Sequence, residues 1–374
     1  MVRKRLAPLS AATALTVALP GLAYASVSTT PDPSPVVAGG VVYSIAKVGT
    51  STVLGGTFTS VAGVARDGVA VIDTQGKLVT TVNPDLPDGF VVYAVEGSSD
   101  GSTIYIGGTF ASVDGMARSN LAAIDVATGA LKASWSADTN DVVRTMEVKN
   151  DRLYVGGSFT SIDGVSRRRL VALTTDGNVI TAFNPWPNWT VRDVAVSPDG
   201  TRIYAVGSFA QIGGQTRKYA AELSATDGKA TTFAPSTDGG VAIAAGLSPD
   251  GTRFLYATEN NSVFAYDPAT SNDPAWVNKG GGDTQAIAMG ASGEVYIGGH
   301  FTIITDQFGV KTKREKIASI WLADGTVTGW NPALTGNLGP WSILTAGSRV
   351  EVAGDYQWIG GKKRGGFARF SGTP

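Results

Sequence analysis

The chain contains no cysteine and one histidine, and only 16% of its residues are charged. Without cysteine there is no disulfide framework, no thiolate nucleophile and no lipid anchor attached through sulfur. With one histidine, multi-histidine and histidine–thiolate metal centres are excluded, including the copper centre of kelch-like oxidases. Thirty Lys and Arg nearly balance 31 Asp and Glu, for a net charge of −1. Loss of Arg3, Lys4 and Arg5 with a leader would make the remainder mildly acidic, which argues against a general nucleic-acid binder. Sustained helical periodicity is missing, and so is any later apolar run long enough to cross a bilayer. No glycine-rich loop opens a helix to hold phosphate.

What is present begins with an export signal. "VRKR" is basic, "LAPLSAATALTVALPGLA" is largely apolar, and "AYA" places small residues at 23 and 25. Pro20 and Gly21 shorten the apolar run below a comfortable membrane span. Residues 1–25 are therefore expected to be a cleaved signal peptide, and the product secreted, extracellular and monomeric. An exported chain without disulfides must be held by its core, and 26–374 is long enough to bury a large one.

That core is written as a repeat. "TVLGGTF" (52–58), "IYIGGTF" (104–110), "LYVGGSF" (153–159), "IYAVGSF" (203–209) and "VYIGGHF" (295–301) share one pattern. A degenerate copy, "RFLYATENNSVFAYD", fills the long gap, and "VEVAGDYQW" adds a seventh. A full copy at 91–135 divides into "VVYAV", "TIYIGG", "LAAID" and "LKASW", separated by turn chemistry at Asp100-Gly101, around Gly115 and at Thr128-Gly129. Short runs rich in Val, Ile, Tyr and Trp between such turns are strands joined by hairpins. Four strands in about 50 residues, apolar on both faces, describe one blade of a β-propeller. Trp135, Phe183, Phe233, Trp276 and Trp330 close the fourth strands and are read as inter-blade core.

The pattern "YIGGTF…G…R..LAAID..TG….W" resembles the delta-60-type repeats of secreted bacterial β-propellers and is similar to kelch repeats. The resemblance covers 38–374, strongly in copies one to four and six. It implies a propeller fold and an exported location, and no activity. The expected fold is all-β: a seven-bladed propeller of four-stranded antiparallel blades at approximately 38–87, 88–137, 138–186, 187–237, 238–281, 282–334 and 335–374. The last copy stops one strand short, so 26–37 should supply a closing strand and link that shut the ring.

One propeller face should carry short turns and the other the longer loops, where ligand sites usually lie. Arg66, Arg118, Arg167 and Arg217 follow the motif phenylalanine at a constant interval, with Arg314 and Arg364 as counterparts. Five donors on one guanidinium suit it to tying irregular loops to backbone carbonyls, so these six are read as structural. At one phase of the innermost strands stand Tyr43, Tyr93, Arg144, Arg192, Ile243, Gln285 and Trp341. Polar residues in such strands are costly if buried alone, which places them at a funnel mouth. Trp186 and Trp189 lie in a link on that face, either exposed or packed under Pro185 and Pro187. Copy five has only Asn260-Asn261-Ser262 where others have a long loop, leaving a notch. Copy six extends to "HFTIITDQFGVKTKREK", with His300, Lys311 and Lys313.

These residues favour a non-catalytic binding module that recognises a protein or cell-surface glycan, the protein being slightly preferred. No catalytic residue, cofactor or metal site is expected. "DTNDVV" and "TDQFG" hold calcium-type oxygens without a ligand spacing. The alternatives are a hydrolase with paired carboxylates in the funnel, or a purely structural cell-envelope protein.

Overall fold

The computed structural model describes residues 27–236, 240–336 and 338–372. The expected leader and Ser26 lie outside them. All regular structure among the described residues is β, in short antiparallel sheets. Seven sheets are up-and-down meanders. Their innermost strands are Val42–Val48, Val91–Gly97, Val143–Lys149, Val191–Val196, Ala242–Leu247, Thr284–Met289 and Gly339–Ala346. Each innermost strand packs beside the next, and Gly339–Ala346 packs beside Val42–Val48.

The repeated motif is a packing signal. Its first glycine faces the neighbouring sheet: a Cβ on Gly107 would press into Val143 and Met146, and one on Gly156 into Val191 as well as Thr145 of its own sheet. Its second glycine faces its own innermost strand, where a Cβ on Gly108 would collide with the Val91 carbonyl. The phenylalanine that follows is fully buried at 58, 159, 209 and 301. Each such ring adds about 1.5–3 kcal/mol of apolar burial.

Beyond that phenylalanine, the long second-to-third connections are ordered. They form small hairpins, such as Ser60–Val61 with Val64–Ala65 and Ser161–Ile162 with Val165–Ser166. Ala62-Gly63, Asp114-Gly115 and Asp163-Gly164 have positive φ at both residues, the type I′ turn that matches strand twist. The incoming link joins several hairpins, as Val37 pairs with Val61 and Thr139 with Ile162.

The outer edge departs from four full strands. Sheets one and five have a fourth strand, whereas in sheets two, three, four and six it shrinks to single bridges such as Ile124–Leu131 and Leu173–Val179. The repeat arginines tie these outer segments to the hairpins. Arg118 donates to the Ala117 carbonyl at 2.7 Å and the Ala133 carbonyl at 2.6 Å, drawing the outer segment toward the hairpin. Arg167, Arg217 and Arg314 make equivalent pairs to Ser166 and Thr181, Thr216 and Thr231, and Lys313 and Thr328. Arg66 bonds the Ala65 and Val79 carbonyls, and Arg364 those of Lys363 and Asp32. The aromatic residue of the outer segment turns to the next sheet: Trp135 donates through Nε1 to the Thr175 carbonyl at 3.0 Å, and Trp276 to that of Leu322 at 2.9 Å.

The two ends of the chain meet. Val27 bridges Gly372, Ser28 N donates to the Ser371 carbonyl at 3.0 Å, and Asp32 N donates to that of Arg369 at 2.8 Å. Trp330 Nε1 donates to the Ser28 carbonyl at 2.9 Å. Beside this seam lies a buried ion pair, Arg369 Nε to Glu351 Oε1 at 2.6 Å. Thr52 of the first sheet donates to Glu351 Oε2 at 2.6 Å, and Arg369 also reaches the carbonyls of Asp73 and Thr74. Glu351 occupies the strand position held by Tyr105, Tyr154, Tyr204 and Tyr296 elsewhere, so this polar lock is peculiar to the seam.

Removing one partner of a buried ion pair strands the other charge, at a cost of about 3–5 kcal/mol. Glu351→Ala should lose that much in denaturant unfolding, and Glu351→Leu with Arg369→Met should recover most of it. A single variant within about 1 kcal/mol of the parent, the range of exposed pairs, would show that the lock does not hold the seam.

Candidate functional site

In all seven innermost strands the pairing with the second strand slips by one residue. The slips fall between Val42 and Ser44, Val92 and Ala94, Val143 and Thr145, and Val191 and Asp193. They continue between Ala242 and Ala244, Thr284 and Ala286, and Pro340 and Ser342. The extra residue in each is Tyr43, Tyr93, Arg144, Arg192, Ile243, Gln285 or Trp341. A bulge leaves its residue unpaired and re-aims the side chain. Here all seven side chains line one cavity of about 570 Å³.

The cavity mouth divides by chemistry. Trp341, Tyr43 and Tyr93 form an aromatic arc, with centroids 5.3 Å apart at each step and rings inclined at 75° and 47°. Arg144 continues it, its guanidinium 5.3 Å from the Tyr93 centroid. Arg144 has no ion-pair partner among the described residues, whereas Arg192 is paired with Glu259 at 3.0 Å. Trp341 Nε1 and Gln285 Oε1 are buried without a hydrogen-bond partner among the described residues. Burial and the neighbouring Tyr93 push the Tyr43 hydroxyl above its ordinary pKa, so it stays a neutral donor.

Below the mouth, side chains bridge neighbouring sheets. An innermost strand has no partner on its inner side, so its amides there need other acceptors. Ser342 Oγ accepts from Ile45 N at 3.3 Å, and Ser44 Oγ from Val95 N at 3.2 Å. Asp193 Oδ2 accepts from Ala245 N at 2.9 Å, and Glu147 Oε2 from Val196 N at 3.1 Å. Glu96 lines the same cavity. Glu96, Glu147 and Asp193 are half-buried, and Asp193 lines the cavity with Glu96. Desolvation raises all three: Glu96 well above its ordinary range, Glu147 to about 8 and Asp193 to about 6. Repulsion adds to this between Glu96 and Glu147, and between Glu147 and Asp193. Donated hydrogen bonds from Ala245, Thr145 and Val194 hold Asp193 lowest of the three. Sequence reading passed over this acidic column, whose signal was a carboxylate interrupting "YAVEG", "TMEVK" and "VRDVAV".

Of the other expected positions, His300 touches the cavity lining through Asp283, and the rest are not among the lining residues. Trp186 and Trp189 are exposed, at 41% and 61%, under the guanidinium groups of Arg168 and Arg169 at 4.7 and 5.9 Å. His300 Nδ1 is 2.6 Å from Asp283 Oδ1, and Asp283 is a cavity residue. Lys311 and Lys313 sit on a hairpin, Ile303–Thr305 with Lys311–Lys313, where Lys313 pairs with Glu315 at 3.0 Å. Ile304 of that hairpin pairs with Gly280, beside the short connection at Asn260. Asp306 Oδ1 accepts from Phe308 N and Val310 N, so its carboxylate closes its own turn. No cluster of three or more His, Cys, Asp or Glu suited to a metal occurs among the described residues.

Comparison with known proteins agrees on the fold. Residues 149–183 match a sequence family described as a domain of unknown function (DUF5122) beta-propeller. A comparison with curated proteins gives no match. The chain is similar to the crystal structure of the WD40 beta propeller domain of Doa1, with a TM-score of 0.62 and 11% identity. That match covers 91% of this chain and 96% of the other. At such identity the likeness is one of fold: the chain is an all-β propeller.

The raised carboxyls make stability pH-dependent. Unfolding returns Glu147 from about 8 to 4.5 and Asp193 from about 6 to 3.8, so the folded chain holds protons that the unfolded chain releases. Their favourable contribution is complete below about pH 4 and lost as pH rises toward 8. Glu147→Gln, which keeps the acceptor for Val196, should raise the melting temperature at pH 8 and leave it nearly unchanged at pH 4. An equal change at both values in thermal melts would show that Glu147 ionises normally.

Proposed function

We propose that the chain is a secreted, non-catalytic binding module, a single seven-bladed propeller over 26–374 closed by its N-terminal segment. The cyclic order of the innermost strands and the Val27–Gly372 bridge support the blade count and the closure. The partner is a protein or cell-surface glycan, held at the funnel mouth on the face that bears the hairpins.

One observation carries this reading. Seven independent bulges aim their side chains into one cavity, and the repeat does not require the identities found there. A scaffold position would recur in kind, as the six arginines do. Tyr, Tyr, Arg, Arg, Ile, Gln and Trp instead make a surface with an aromatic side and a cationic side. Aromatic and arginine side chains supply most of the binding energy in recognition sites.

A hydrolase is the second reading, favoured by the electrostatically coupled carboxyls Glu96, Glu147 and Asp193. Glu147 and Asp193 are already committed to backbone amides of the next sheet, which leaves Glu96 to act. Turnover of any glycan substrate that is lost in Glu96→Gln would establish it.

The binding reading is tested with the chain from Ser26 onward on a glycan array and in pull-downs of cell-surface proteins. Tyr93→Ala and Trp341→Ala should each weaken the interaction tenfold or more, with melting temperatures near the parent's. Deleting 306–310 from the rim hairpin should have little effect. Binding that survives both funnel substitutions and falls with the deletion would move the site to the rim. Binding indifferent to all three would reject both places.

A further inference from the structure

We propose that the funnel mouth is a subsite for a pyranose bearing a single carboxylate, a uronic-acid residue of a cell-surface glycan. This rests on the binding reading above and commits that site to one ligand class.

The aromatic arc supplies the first half of the fit. Trp341, Tyr43 and Tyr93 are contiguous around the mouth, with 5.3 Å between successive centroids. Aromatic faces carry negative quadrupole density, and the C–H-bearing face of a pyranose is weakly positive and apolar. The inclined rings form a curved wall suited to a puckered ring. The cavity, about 570 Å³, is of a size to hold one or two sugar residues.

Charge supplies the second half. Of the two arginines at the mouth, Arg192 is neutralised by Glu259 at 3.0 Å, and Arg144 stands over Tyr93 without a carboxylate. The contact with Tyr93 holds the guanidinium at the mouth, and its N–H donors are open to an incoming anion. A planar carboxylate takes two parallel N–H donors from such a fork. One free cation calls for one anionic group. Glu96, Asp193 and Asp283 share the lining, so a second anion would meet acidic groups and, among the described residues, no further free cation. The ligand's carboxylate must therefore sit at the rim beside Arg144, with its neutral hydroxyls directed inward.

Those hydroxyls meet the polar side chains of the lining, the Tyr43 and Tyr93 hydroxyls and the Gln285 amide, each able to donate to or accept from a sugar hydroxyl.

The test uses calorimetric titration of the chain from Ser26 onward with a glucuronate-containing tetrasaccharide and with its carboxyl-reduced, neutral counterpart. The acidic form should bind, and the reduced form at least tenfold more weakly. Arg144→Gln should bring the acidic form down to the level of the reduced one, and Arg144→Lys should restore part of the difference. Tyr43→Ala should weaken both forms, and thermal melts confirm that each variant is folded. Equal affinity for the two forms, or no effect of Arg144→Gln, overturns the proposal. If neither sugar binds but a defined protein partner does, and Tyr43→Ala abolishes that, the sugar class falls and the binding reading stands. If no sugar and no protein binds, both fall.

Discussion

A sheet that is apolar on both faces is stable only with a neighbour on each side, and this constraint governs the whole molecule. Sheets in the middle of the sequence meet it through the links that join them. The first and last cannot, because nothing covalent connects them. The pairing of Val27 with Gly372, the Trp330 bond to Ser28 and the Glu351–Arg369–Thr52 lock supply that missing contact. A polar lock suits the position. Hydrophobic contact alone would allow the two sheets to slide, whereas a buried ion pair with a third partner accepts one alignment.

The same arrangement creates the site. Packing sheets side by side turns their innermost strands toward a common axis, where each has an edge without a strand partner. Hydroxyls and carboxyls reaching from one sheet to the amides of the next answer that need. The bulge just outside them releases one side chain per sheet into the opening. Scaffold and site are thus set by adjacent residues of the same strand. Ser44 and Asp193 fasten the wall, and Tyr43 and Arg192 face the cavity.

Much of this was legible in the sequence. The glycine pair, the buried phenylalanine and the arginine at constant interval recur because each solves a packing problem present in every sheet. The phase of the cavity residues was legible too, since polar and aromatic side chains interrupt otherwise apolar strands. Their bulges were not, because a one-residue slip leaves no mark in the residue types on either side. The hairpins hidden in the long connections had a signal in Asp114-Gly115 and Asp163-Gly164, but the flanking strands are only two residues each and fall below the reach of any periodicity. The single-bridge outer edges were also out of reach. They depend on how each outer segment lies against the third strand, and composition does not state that.

The sequence by itself determined the strand content, the repeat, the residues that pack between sheets and the set of side chains that face the opening. Local propensity and hydrophobic pattern act over a few residues, and a repeat presents the same local problem several times. Only the tertiary structure decided that Glu351 opposes Arg369 beside Thr52, that Glu96, Glu147 and Asp193 share one electrostatic environment, and that Arg192 is paired and Arg144 is not. Each of those pairs residues about 20 to 300 positions apart, or leaves one unpaired. Coulomb energy and desolvation depend on separation in space, which distance along the chain does not fix.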